Sequence, residues 1–237
     1  MAAEIDYGRL PVPPPWWDNV LFRAMRGSVR FVLRVLFRWR VEGSLPAAGG
    51  YVIAANHASY LDPLILGASV DRRVSYLMTE TVWRSATAGW FYRWNRAIPL
   101  RARGGNREAL RAARAVLQQQ RVVGIFPEGG ISRDGKLMLG SPGAVALVLN
   151  EGLPIVPVGI VGASDALPPD ASWPRLRRVT VKIGAPILPA ELDALGGGRR
   201  ERLQSATRLI MRRIAALTGQ RSREDALAEA APVEPRA

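Results

Sequence analysis

The chain has 237 residues, 48% hydrophobic and 22% charged, a balance that suits one folded α/β-sized domain and excludes an intrinsically disordered chain. It has no cysteine, which excludes disulfides, iron–sulfur clusters, zinc ribbons and a thiolate nucleophile, and a single histidine, His57, which argues against a catalytic zinc. The net charge of +13 is carried mainly by arginine, whose planar fork favours phosphate, so nucleic acid, anionic lipid headgroups and phosphorylated small molecules are the partners to weigh.

In chain order, residues 1–15 end in Pro11-Val12-Pro13-Pro14-Pro15 and predict an extended lead-in, because proline fixes φ and donates no backbone hydrogen bond. Acids and prolines stand where a secretory signal would have a basic segment and an apolar run, so none is expected. Trp16 to Arg40 then has a helical period. Arg23, Arg26, Arg30, Arg34 and Arg38 fall on one stripe, with Leu21, Met25, Val29, Val32, Leu36 and Trp39 opposite. Such a basic amphipathic helix packs its apolar face on a core with its arginines in water, or lies in a membrane interface with Trp16 and Trp17 at headgroup level.

Short β-rich apolar runs predict strands at Tyr51 to Ala55, Val74 to Met78, Val122 to Phe126, Ile155 to Val161 and Val179 to Ile183. Helices are predicted near Pro63 to Ser69, Thr81 to Trp94, Arg107 to Gln120, Gly143 to Asn150 and Arg199 to Leu217. The alternation predicts an α/β fold, with a mostly parallel or mixed central sheet covered by helices and the basic amphipathic helix at the N-terminal end. Ligand sites in such folds lie beyond the carboxyl ends of strands. The expected organisation is a lead-in and membrane-interface helix over 1–40, the folded domain over 41–218, and a flexible tail over 219–237 rich in Ala, Glu and Pro. No segment reads as transmembrane, since the most apolar stretch, Leu137 to Ser164, is interrupted by Pro142, Glu151, Pro154 and Pro157. Any membrane contact is expected at the surface.

Three clusters carry chemistry. The run Asn56-His57-Ala58-Ser59-Tyr60-Leu61-Asp62-Pro63 directly follows a predicted strand. A loop-to-helix turn over that span brings the Asp62 carboxylate beneath the His57 imidazole, where it fixes the tautomer and stabilises the imidazolium formed when the ring takes a proton. The second cluster, Ile98-Pro99-Leu100-Arg101 with Arg103 close behind, precedes a helix amino terminus, which suits an anion site or a solvated turn. The third, Phe126-Pro127-Glu128-Gly129-Gly130-Ile131-Ser132-Arg133, again follows a strand, and its paired glycines let the backbone approach an anion or a developing oxyanion. Pro154 and Pro157 around the next strand imply an edge, a bulge or a ligand-lining bend.

In this order, the His57 to Asp62 block, Phe126-Pro127-Glu128-Gly129 and Pro154-Ile155-Val156-Pro157 resemble the glycerolipid acyltransferase family, over roughly residues 50–187. The resemblance implies transfer of a fatty acyl group from a thioester, acyl-CoA or acyl carrier protein, to a hydroxyl of a lysophospholipid, 1-acylglycerol-3-phosphate above all. It implies His57 as general base and Asp62 as its orienting partner, with no metal, no bound cofactor and no covalent enzyme intermediate. Arg101 matches the second-block arginine that holds the acceptor's phosphate. Glu128 with Gly129 matches the acceptor-binding third block, and Gly130 follows where that block has threonine. That block usually continues Gly-Thr-Arg, but Ile131 stands where the arginine belongs, and Arg133 or Arg101 is then left to meet the phosphate. The acceptor stays open between 1-acylglycerol-3-phosphate and another lysolipid or a glycolipid. An anionic membrane surface at the cytoplasmic face of the cell membrane is the expected location, with the protein peripheral. The competing class, an arginine-rich nucleic-acid- or lipid-binding protein without turnover, lacks any helix-turn-helix, zinc-finger or RNA-binding aromatic block, so no nucleic acid is expected.

Overall fold

A computed structural model describes residues 5–10, 12, 14–101, 105–149, 151–221 and 223. Arg103, parts of the lead-in and most of the 219–237 tail lie outside the described residues. In chain order the elements are α1 (Trp16–Phe37), β1 (Arg40–Glu42), β2 (Tyr51–Ala55), α2 (Asp62–Ser69), β3 (Val74–Thr79), α3 (Glu80–Trp83), α4 (Gly89–Trp94) and β4 (Ile98–Leu100). They continue with α5 (Arg107–Gln118), β5 (Val122–Ile125), α6 (Pro142–Leu149), β6 (Ile155–Val161), α7 (Ala163–Ala166), β7 (Thr180–Ile183), α8 (Pro189–Asp193) and α9 (Arg199–Thr218).

The strands form one mixed sheet in the order β1-β7-β6-β2-β5-β3-β4. All neighbours are parallel except β6 and β7. The central strands β2, β5 and β6 are apolar along almost their whole length because both faces of the sheet are covered. On one face α1, α2 and α7 contribute Leu33, Phe37, Ile65, Leu66, Ala163 and Ala166 to the core. On the other, α5, α6, α8 and α9 contribute Ala113, Val116, Val145, Leu192, Ile210 and Met211.

This layering positions the site. The chain leaves β2 into α2 on one face and leaves the adjacent β5 into α6 on the opposite face. Neighbouring parallel strands whose connections diverge in this way open a crevice beyond their carboxyl ends.

Pro157 lies inside the sheet, opposite Ala54 of β2, and not at an edge as a strand proline suggests. It is tolerated because β7 has ended at Ile183 where Pro157 falls. The Pro157 carbonyl accepts from the Gly184 amide at 2.9 Å, and no ladder donor is needed there.

α1 packs one face on the core and exposes another. Asp18, Phe22, Leu33 and Phe37 are buried inward. Two arginines of the expected solvent stripe also turn inward. Arg26 donates to the Val70 carbonyl at 2.9 Å, and Arg30 donates to the Ala68 carbonyl at 2.6 Å and pairs with Asp71 at 3.0 Å, so they cap the C-terminal end of α2. Asp18 pairs at 2.9 Å with buried Arg73 and accepts from the Trp94 indole, and this network ties α1 to α4. A second apolar stripe, Trp17, Val20, Leu21, Phe31, Val32 and Val35, faces outward, with Phe31 68% exposed.

Candidate active site

The register Ala54↔Ile125 between parallel β2 and β5 sets the residues that follow each strand side by side. His57 and Glu128 meet there. The His57 Nδ1 lies 2.9 Å from Asp62 Oδ2, at the first residue of α2. Asp62 is 1% exposed, and the same oxygen accepts from the Ala58 and Ser59 amides at 2.7 Å each. Its geometry is therefore fixed by three partners, the two amides and the ring nitrogen, and not by the histidine alone. With Nδ1 engaged, Nε2 is the ring nitrogen left for a substrate.

The ring is clamped as well as aimed. His57 stacks on Phe126 with centroids 4.1 Å apart, and Phe126 stacks on Tyr76 at 6.0 Å. Tyr76 is buried, donates to the Pro63 carbonyl at 2.9 Å, and burial pushes its phenol well above the ordinary range. The backbone of His57 is held at both ends: its N–H donates to Glu128 Oε1 at 2.7 Å, and its carbonyl accepts from the Ser132 amide at 2.8 Å. The other Glu128 oxygen accepts from the Met138 amide at 2.8 Å. Burial raises Glu128 to about 6, against the opposing pull of the Met138 and His57 amides.

The loop after β5 is itself braced. Ser132 Oγ bonds Asp134 at 2.8 Å and the Lys136 carbonyl at 2.6 Å. Gln220, just past the Gly219 cap of α9, donates to the Gly135 carbonyl at 3.2 Å and accepts from the Leu137 amide. Arg223 bonds Asp134 at 2.8 Å. Gln220 and Arg223 thus clasp this loop at the point where fraying is expected from composition.

A cavity of ≈ 850 Å³ opens from His57. Its walls are the third-block loop through Gly129, Gly130, Ile131 and Arg133, the strand ends at Met78 and Leu100, and the α3–α4 segment through Val82, Ala88 and Tyr92. The volume and apolar lining suit a chain-like apolar ligand with one polar end. Among the sequence-predicted residues, the structure brings His57, Gly129, Gly130 and Arg133 to this cavity, with Asp62 behind the ring. Glu128 is adjacent, but its carboxylate is engaged with backbone amides. Arg101 is outside the lining, although Leu100 before it is inside, and its exposed guanidinium lies 3.7 Å from Glu108. Gly129 sits at φ +73°, a left-handed conformation that favours glycine, and its amide donates to the Phe126 carbonyl at 3.0 Å.

Asn56, Ser59, Ser132 and Gln220 also hold the site, and none is singled out by the sequence motifs. Asn56, a polar residue closing an apolar strand, bonds both the carbonyl and the amide of Ile160 at 2.9 and 2.7 Å, fastening β2 to β6 beside the His57 turn. Ser132 had a local signal in the Ser-x-Asp-Gly turn pattern. Gln220 had none, since its partners are more than eighty residues away in sequence.

A family model described as acyltransferase matches residues 38–161. The 1-acyl-sn-glycerol-3-phosphate acyltransferase of Bacillus subtilis is 25% identical over 172 residues, covering 72% of this chain and 82% of that protein. The enzymes of that name from Limnanthes douglasii and, in its chloroplastic form, Brassica napus are 29% and 24% identical, and the matches span 54% and 47% of their lengths. The crystal structure of the 1-acyl-sn-glycerophosphate acyltransferase PlsC from Thermotoga maritima shares the fold, with a TM-score of 0.69 at 21% identity over 91% of this chain and 88% of that one.

Proposed function

The chain belongs to the acyltransferase family, as an O-acyltransferase, and from that premise we propose that it moves a fatty acyl group from acyl-CoA or acyl carrier protein to the free hydroxyl of 1-acylglycerol-3-phosphate, giving phosphatidic acid. The observation that carries the reading is the His57 ring, held by buried Asp62 on one side and stacked on Phe126, on the wall of a cavity large enough for an acyl chain.

Nε2 of His57 takes the hydroxyl proton as the alcohol oxygen attacks the thioester carbonyl carbon. Asp62 offsets the charge that appears on the ring. The amides of Gly130 and Ile131, on the cavity wall and without a protein acceptor among the described residues, are the donors available to the tetrahedral oxyanion, since the Gly129 amide is committed. Collapse breaks the C–S bond, and the departing thiolate takes the proton back from the imidazolium. The products are the ester and a free thiol, and no cofactor is consumed. Arg133, on the cavity wall, supplies the cation for the acceptor's phosphate that Ile131 does not. Ile131 also favours a second reading, an acceptor of lower headgroup charge such as another lysolipid or a glycolipid.

Our reading has the enzyme working as a peripheral protein on the anionic cytoplasmic face of the cell membrane. The outward apolar stripe of α1 and the arginines beside it support that. Among the described residues no helix is long and apolar enough to cross a membrane.

The test is His57→Ala assayed with labelled acyl-CoA and acyl carrier protein against a panel of lysolipids. Turnover falls by about a thousandfold or more with an unchanged melting temperature. Near-normal turnover of the variant refutes the catalytic assignment, and wild-type turnover highest on an uncharged acceptor refutes the choice of 1-acylglycerol-3-phosphate.

A further inference from the structure

The segment joining α7 to β7, residues 167–179, takes no part in the chemistry above, yet it begins at the catalytic turn. Ser59 Oγ donates to the Leu167 carbonyl at 2.7 Å, and Pro169 lines the same cavity as His57. The far end meets α1: the Val179 amide donates to the Phe37 carbonyl at 2.9 Å, and the Val179 carbonyl accepts from Arg40 at 3.1 Å. Between those anchors Pro168, Pro169 and Pro174 restrict the backbone, and the Arg175 amide is pinned to the Ala166 carbonyl at 2.6 Å.

What this stiff loop presents is unusual for a solvent loop. Trp173 is 83% and Leu176 75% exposed, with Arg175, Arg177 and Arg178 exposed between and beside them. Asp170 is the segment's one acid, and no carboxylate among the described residues pairs with the three guanidinium groups. A single exposed apolar side chain calls for no explanation. An exposed indole and leucine interleaved with unpaired arginines match an interfacial anchor, in which the apolar tips enter the headgroup layer and the cations bind phosphates.

We propose that residues 167–179 form a second membrane-contact element that holds the mouth of the cavity against an anionic phospholipid bilayer, with Trp173 and Leu176 inserted and Arg175, Arg177 and Arg178 on headgroup phosphates. The proposal rests on the membrane-surface reading of α1 and extends it: α1 and this loop meet at Val179, so the contact surface runs from the outward stripe of the helix to the rim of the catalytic cavity. A lipid acceptor then enters from the bilayer without crossing water.

The experiment is co-sedimentation of the full chain with vesicles of phosphatidylglycerol and phosphatidylcholine, or of phosphatidylcholine alone, with turnover of a detergent-dispersed acceptor measured in parallel. Replacing Arg175, Arg177 and Arg178 by Gln lowers partition onto the anionic vesicles about a hundredfold and barely changes the neutral ones. Trp173→Ala with Leu176→Ala lowers partition onto both by about tenfold. Turnover of the dispersed acceptor stays at the wild-type level in each. Wild-type partition of the loop variants, with release of a Phe31→Ser, Val35→Ser variant of α1, overturns the loop proposal and leaves the membrane reading standing. A wild-type protein that stays in the supernatant with both vesicles sinks the membrane reading and the loop with it. Normal partition of the loop variants combined with lost turnover from acyl carrier protein alone assigns the loop to that acidic protein and overturns the proposal.

Discussion

Glu128 commits both carboxylate oxygens to backbone amides, one of them that of His57, so in this structure the Phe-Pro-Glu-Gly signature positions the backbone of His57. Glutamine cannot copy this arrangement, because its NH₂ would face an N–H donor where a second acceptor is required. Glu128→Gln therefore lowers kcat by about tenfold to a hundredfold through displacement of the His57 ring, with little change in donor KM. Its stability effect has a pH signature. The folded protein raises Glu128 from 4.5 to about 6, so between those values the native state holds a proton the unfolded chain has released. That contribution is complete below 4.5 and is lost as pH rises through about 6, a change of about 2 kcal/mol. The stability gap between wild type and Glu128→Gln is thus wider in acid than at neutral pH, as urea titrations at either end of the window would measure. A gap independent of pH contradicts the assigned burial. The role of Glu128 was not legible in the sequence, because a spacing pattern names a residue without saying whether its oxygens face ligand or chain.

Elements with strong periods were legible to within a residue or two. Tyr51–Ala55 and Ile155–Val161 match their apolar runs end to end, since strands buried on both faces have no alternation to misread. The short edge strands β1 and β4 escaped notice. β1 is three exposed residues, and β4 includes Pro99, which suits an edge position. The helix expected over Thr81 to Trp94 is broken into α3 and α4. The Gly89 amide donates to the Ser85 carbonyl at 2.9 Å, and Gly89 packs so closely that an added Cβ would lie 2.5 Å from the Trp83 carbonyl oxygen. Periodicity is blind to that contact. The break shapes the cavity, because Ser85, Thr87, Ala88 and Tyr92 all line it. Gly89→Ala is expected to destabilise the fold by about 1–3 kcal/mol and to shift the donor chain-length preference. Thermal melts and turnover across a thioester series measure both, and an unaltered profile would show that the break does not set the wall.

At the scale of the molecule, the net charge of +13 predicts a phosphate preference, and the structure sorts those arginines into distinct uses. Arg26, Arg30 and Arg73 are structural, capping α2 or tying α1 to α4. Others, including Arg175, Arg177 and Arg178, remain exposed and contribute to a long-range field. On acceptor presented in anionic vesicles, kcat/KM is therefore expected to fall steeply as salt shortens the Debye length from ~10 Å toward ~3 Å. With acceptor in neutral micelles it stays flat, and equal salt sensitivity in both would detach the charge from membrane encounter. Because the whole chain has one imidazole, stacked at the end of the Tyr76–Phe126–His57 column, the protein carries a built-in magnetic-resonance reporter. Its ring protons give an unambiguous signal, displaced by the aromatic face beneath them, so loosening of the clamp on His57 is visible without isotope editing or assignment.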